Sequence, residues 1–187
     1  MLGSGCAPSF RPAAPGVPER ARRTESYSAR VRVSLRGDEL RGRSWTLVAF
    51  RRPDALRIEV PGPTGARVIA VARGGRLTAV FPGERAVFAD AATREALEQL
   101  LGVGLRPEEV IDLLVGLAPP DVTGYRVGWG PSVPERVRAR LPDGARLDLE
   151  IQNPRPGAEL PDAAFAEPPH PGYRVVGAAE ARSLWSR

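Results

Sequence analysis

From Ser26 onward, apolar and polar residues alternate one by one, and this constrains the fold more than any other feature of the chain. In "YSARVRVSL", Tyr27, Ala29, Val31, Val33 and Leu35 fall on one face, and Ser28, Arg30, Arg32 and Ser34 on the other. A side-chain period of two means a strand with one buried face. The pattern returns in "RGRSWTLVAF", "ALRIEVP", "ARVIAVARG", "RLTAVFPG" and "ERAVFAD". Between these runs stand Gly37-Asp38, Pro53, "GPTG" and Gly74-Gly75, each a turn signal. Connections that short join antiparallel neighbours, because a parallel crossover needs a dozen residues or more. About six antiparallel strands in a meander are therefore expected.

The period then changes. In "AATREALEQLLG", Ala96, Leu97, Leu100 and Leu101 recur at helical spacing, with Asp90 as the expected cap and Gly102 as the stop. "RPEEVIDLLVGLAPP" reads as a second helix, with Pro107 in its first turn and Glu108 and Glu109 at its positive end. Strands resume in "TGYRVGWG", in "ERVRARLPDGARLDLEIQ" with a hairpin at Pro142-Asp143-Gly144, and in "GYRVVG". The fold class expected is α+β, mostly β: a single curved antiparallel sheet with two short greasy helices laid over it. Such a sheet tends to curl, and helices over its mouth can enclose apolar space. Small residues, Ala49, Ala70, Ala72 and Ala79 or their neighbours, are expected to face inward and leave volume, although composition alone favours a filled core. Which strand face points inward is not decided by the pattern.

Charge and composition exclude several functions. All 27 basic residues are arginine, and the net charge is +5. The arginines are spread over nearly every segment and alternate with apolar residues, as on solvated strand faces, and no aromatic-plus-basic platform is seen. No nucleic-acid partner is expected. No apolar run approaches the roughly 18 residues of a membrane span. His170, the sole histidine, sits in "EPPHPGY" without a second histidine or a cysteine nearby, so neither metal nor cofactor is expected. There is no G-x-S-x-G elbow, phosphate loop or dinucleotide fingerprint. Glu159, Asp162 and Glu167 lie in proline-rich loop text with nothing specific behind them. An enzyme is not expected.

Three stretches, in order, resemble the outer-membrane lipoprotein receptor family LolB and, more loosely, the LolA-like periplasmic carriers. They are "RPDALRIEVPGPTGARVIAVARGGRLTAVFP", "LLGVGLRPEEVIDLLVGLAPPD" and "LPDAAFAEPPHPGYRV". The resemblance spans about residues 25–177. It implies a half-open β-barrel with a helical lid over an apolar cavity that holds the acyl chains of lipoproteins. It further implies a lipid-anchored receptor or chaperone on the periplasmic side of the outer membrane. Such a protein takes cargo from a LolA-like periplasmic carrier and releases it into the inner leaflet of the outer membrane.

The resemblance also gives Cys6 a reading. "LGSGC" looks like the end of a lipobox, in which small residues precede a cysteine that receives a diacylglycerol, with Gly3 where leucine is usual. The charged and apolar parts of such a signal are missing, and a start called too far downstream would explain that. Residues 1–24, rich in proline and arginine, are then expected as a disordered leader and tether, and 25–187 as the LolB-like domain. Expected cavity and lid residues are Leu97, Leu100, Leu101, Ile111, Leu114 and Leu117 from the helices, with Leu56, Ile58, Val68 and Phe81 from the sheet. The membrane-facing loop is Pro63, Thr64 and Gly65, with Thr64 where the family presents a bulky apolar residue. The rival expectation is an interaction lipoprotein of the same fold, with a filled core, that binds a protein partner.

Overall fold

The computed structural model describes residues 10–37 and 41–186. It begins with a short helix, α1 (Val17–Arg22), and a run of strands: β1 (Ser26–Arg36), β2 (Arg41–Arg51), β3 (Ala55–Gly62), β4 (Gly65–Arg73), β5 (Arg76–Phe81) and β6 (Ala86–Ala91). Helices α2 (Arg94–Leu101) and α3 (Pro107–Leu114) come next. Strands β7 (Thr123–Trp129), β8 (Pro134–Arg140), β9 (Arg146–Pro156) and the two-residue β10 (Arg174–Val175) lead to a last helix, α4 (Ala178–Trp185).

The ten strands of the described residues join one open sheet in the order β10-β6-β5-β4-β3-β2-β1-β9-β8-β7. Neighbours are antiparallel except β10, which runs parallel to β6. β1 to β6 form the expected meander. After the two helices the chain returns to the other side of β1, where β9 pairs along nearly its whole length. The mostly-β α+β class expected from the pattern is thus the one observed, as a single sheet with β7 and β10 as unjoined edges. The described residues hold four α-helices where the periodicity gave two.

The register decides which face is inner. Val31 lies between Thr46 and Ile151, Val33 between Ser44 and Leu149, and Leu35 between Gly42 and Leu147. The same face continues through Val48, Ile58, Ala70, Ala79 and Phe88. Helices α2, α3 and α4 cover it, and Leu97, Leu100, Ile111, Leu113, Leu114 and Leu184 are buried against it. Each such side chain contributes about 1.5–3 kcal/mol by leaving water. Ala70, Ala72 and Ala79 are on this inner face, as expected. Ala49 is not: it pairs with Ser28 and Arg57 on the opposite face.

Helix ends follow their chemistry with one correction. Asp90 does not cap α2; it ends in β6, and the Thr93 hydroxyl accepts from the Ala96 N–H at 3.2 Å. Gly102 closes α2 in the left-handed conformation (φ 67°), its N–H donating to the Glu98 carbonyl. Pro107 opens α3, and the Glu109 carboxylate accepts from the Arg106 N–H at 2.7 Å. A C-terminal helix was not expected because "AAEARSLW" has a short, weak apolar stripe. Only the groove between α2 and the sheet gives Ala181 and Leu184 something to pack against.

The expected disorder of the leader is corrected for residues 10–24. Val17 and Ala21 are 1% exposed, and Ala21 belongs to the core. The Trp129 N–H donates to the Arg11 carbonyl at 3.0 Å. The Phe10 ring lies against three guanidinium groups, those of Arg126 (4.6 Å), Arg136 (5.3 Å) and Arg138 (5.2 Å). A composition too poor in apolar residues to fold alone gains order from a sheet that is already built. A chain starting at residue 25 is therefore expected to melt several degrees below one starting at residue 10. Equal midpoints in thermal unfolding would show that this segment adds nothing.

Arg136 and Arg138 also converge on Asp148 from the neighbouring strand, at 2.9 Å and 2.6 Å. Burial pushes the Asp148 carboxyl up, but the hydrogen bonds from the two arginines outweigh it and hold it below the ordinary carboxylate range. A depressed folded value contributes stability above the unfolded value of roughly 3.9, and that stability is lost as pH falls through the folded value. The melting temperature is expected to drop on acidification below about pH 4, and to drop less in Asp148→Asn. Identical acid slopes for the two proteins would remove Asp148 from the account.

Candidate functional site

Strands β1 and β9 meet at Leu35 and Leu147, near the turn between β8 and β9. β3 runs in the direction of β1, so the β3–β4 turn lies at this same end of the sheet. Between this end and the helices is a pocket of about 280 Å³. Its sheet wall is Val33, Leu35, Val48, Ile58, Val60, Leu147 and Leu149; facing it are Leu101, Val110, Leu113, Leu114 and Trp185 from the helices and Val103 and Leu105 from the α2–α3 link. At the opposite end Tyr27 stacks on Phe50 with ring centroids 5.2 Å apart. There Arg52 pairs with Asp112 of α3 at 3.1 Å, tying the β2–β3 connection to the helix.

The lining is mostly apolar, and its polar side chains are those of Arg43, Ser44, Thr46, Arg67 and Ser186. The Thr46 hydroxyl donates to the Val31 carbonyl at 3.1 Å and the Ser44 hydroxyl to the Trp45 carbonyl at 3.2 Å. Among the described residues the lining includes no histidine, cysteine, aspartate or glutamate. Such a wall binds an apolar chain and offers it no general base. The volume sits at the lower edge of the roughly 300–1,000 Å³ of ligand pockets. That is the scale of one acyl chain rather than several. Three chains together would require the helices to move away from the sheet.

Of the ten residues expected in the cavity or lid, Ile58, Leu101 and Leu114 line the pocket. Leu56, Val68, Phe81, Leu97, Leu100 and Ile111 are buried in the core around it, and Leu117 packs half-buried at the core's edge. The alternation of β1 and β9 already marks Val33, Leu35, Leu147 and Leu149 as an apolar face. What it does not show is that these two strands, more than 100 residues apart, lie side by side. Val103 and Leu105 stand in the link between α2 and α3, and Trp185 comes from the unexpected α4, so periodicity had no hold on them.

The β3–β4 tip is a tight turn closed by the pairing of Gly62 with Gly65. Gly65 has φ +134°, a conformation that only glycine adopts without strain. Pro63 and Thr64 are exposed at this tip. Cys6 lies outside the described residues. His170 is in a loop, its Nδ1 2.8 Å from the Pro168 carbonyl and its Nε2 3.6 Å from Glu167. Asp162 pairs with Arg51. Among the described residues no group of three or more histidine, cysteine or acidic side chains could hold a metal, and no helix is long and apolar enough to cross a membrane.

No family model matches the sequence, and no curated protein does. Solved structures do. A LolA superfamily protein from Nitrosomonas europaea aligns with TM-score 0.50 at 12% identity, over 81% of this chain and 94% of that one. An uncharacterized conserved protein from Thermus thermophilus aligns with TM-score 0.49 at 15% identity, over 86% and 93%. A DUF1329 family protein from Desulfovibrio piger gives 0.45 at 11%, over 80% and 92%. At these identities the likeness is one of fold: this chain has a LolA-like fold, and nothing in it singles out LolB.

Proposed function

We propose that this chain binds lipoproteins by their acyl chains, as a lipid-anchored receptor or chaperone on the periplasmic face of the outer membrane. Cys6 would carry the anchor, a LolA-like carrier would supply the cargo, and the inner leaflet would receive it. No bond is made or broken in such a transfer. One observation carries the reading: an apolar pocket of about 280 Å³ lies between sheet and helices, where a filled core would leave none. Burial of each methylene contributes about 0.8 kcal/mol, so an enclosed pocket is what an acyl chain needs while it crosses water. The exposed Pro63-Thr64 tip stands at the same end of the sheet as the pocket, which suits release at a membrane surface.

The test is native mass spectrometry of the full chain, purified without detergent from a bacterial host. Co-purifying acyl-lipid masses, or saturable uptake of an added fluorescent fatty acid, are expected. A clean apo mass with no uptake of the probe would sink the reading and favour the interaction lipoprotein with a closed interior.

A further inference from the structure

We propose that the occupant of the pocket carries a negatively charged head group, and that Arg67 holds it. This rests on the acyl-binding part of that reading and departs from its cargo, because the acylated cysteine of a lipoprotein has no acidic head group. The β3–β4 register slips between Val60 and Pro61: Val60 faces Val68 and Pro61 faces Ala66, which leaves Arg67 without a residue opposite. Strict alternation would send Arg67 away from the face that Val68 occupies. The bulge re-aims it, and the arginine lines the apolar pocket instead.

Once there, it is under-satisfied. One Nη2 hydrogen bond goes to the Trp185 carbonyl at 3.2 Å, while the Nε–H is buried with no partner. None of the ion pairs among the described residues includes Arg67. The other polar side chains of the wall differ in this respect, since Thr46 and Ser44 donate to backbone carbonyls and Arg43 Nε donates to Ser34 at 3.3 Å. With no carboxylate in the lining, a guanidinium beside an apolar wall lacks a counter-charge. An acidic head group supplies it, and the attached chain lies along Val60, Leu113 and Leu149. The rim agrees in sign: a polar depression continuous with the pocket through Leu35, Gly42 and Arg43 is lined by Arg36, Arg140 and Arg182 against Glu98 and Asp143. Carboxylate and phosphate share this chemistry, so the ligand class is a single-chain anionic amphiphile.

The experiment is calorimetric titration of the full chain with palmitate, hexadecyl phosphate and hexadecanol, which share a chain and differ in head. At least one anion is expected to bind about ten- to a hundredfold more tightly than the alcohol, the range for one charge-assisted pair. The tighter anion names the head. Arg67→Met is expected to erase the preference, bringing the affinity for the preferred anion down to within about threefold of that for hexadecanol measured on the same variant. Arg67→Gln, which can still donate to the Trp185 carbonyl, replaces it if the methionine variant loses its native circular dichroism. Equal binding of all three ligands by the wild type overturns the head-group assignment and leaves the acyl pocket standing. A preference that survives in the variant overturns the role of Arg67. Failure of all three to bind overturns both readings.

Discussion

Val110→Trp is expected to abolish most acyl-chain binding while leaving the protein folded. Val110 is on α3, half-buried, and its side chain lines the pocket. An indole at this position projects into the 280 Å³ void rather than into packed atoms. If it displaces about four methylenes of the ligand, at about 0.8 kcal/mol each, affinity falls by more than about a hundredfold. Filling a void offsets the strain of the larger side chain, so stability should change by less than about 1.5 kcal/mol. Leu114→Asp would also remove binding, but Leu114 is 2% exposed and the new carboxylate would be buried without a partner. Its effect on binding could not be separated from damage to the fold. A fluorescent fatty-acid titration of the folded Val110→Trp protein decides the matter: wild-type affinity would mean that the chain does not enter this pocket.

Phe50→Ala is expected to give the largest loss of stability of any substitution considered, about 3–5 kcal/mol. Phe50 is 0% exposed on the inner face of β2, directly opposite Tyr27 on one side and Leu56 on the other. Its ring stacks on Tyr27, whose phenol is itself buried with no hydrogen-bond partner and is pushed up by that burial. Strands on both sides hold the backbone, so the site cannot collapse to heal the cavity. For a chain of this size about 2–4 °C is lost per kcal/mol, which predicts a melting temperature lower by roughly 6–20 °C. Thermal unfolding followed by circular dichroism measures it. A drop of only a degree or two would mean that this end of the sheet is not packed as described.

Local text fixes much of this molecule because its signals are local. "YSARVRVSL" names its structure and sorts its side chains onto two faces, since a strand needs only its own alternation for that, while the register with β2 and β9 decides which face is inner. Gly62, Pro63 and Gly65 mark a turn by backbone chemistry alone, and Pro107 with Glu109 marks a helix start. The failures fall where local text is weak and a distant surface supplies the missing burial. Residues 10–24 are too poor in apolar groups to fold by themselves, and "AAEARSLW" is too short a stripe to hold a helix in water. Each becomes ordered because a finished sheet offers Val17, Ala21 and Leu184 a place to lie.

By itself, then, the sequence determined the strands, the two middle helices and the class of fold. Only the tertiary structure decided that β9 lies beside β1, that α4 closes over the same face, and that a bulge turns Arg67 inward. The physical reason is that alternation and turn chemistry act over a few residues. Pairing across more than a hundred residues, and the direction of a side chain at a slipped register, depend on every neighbour being in place at once.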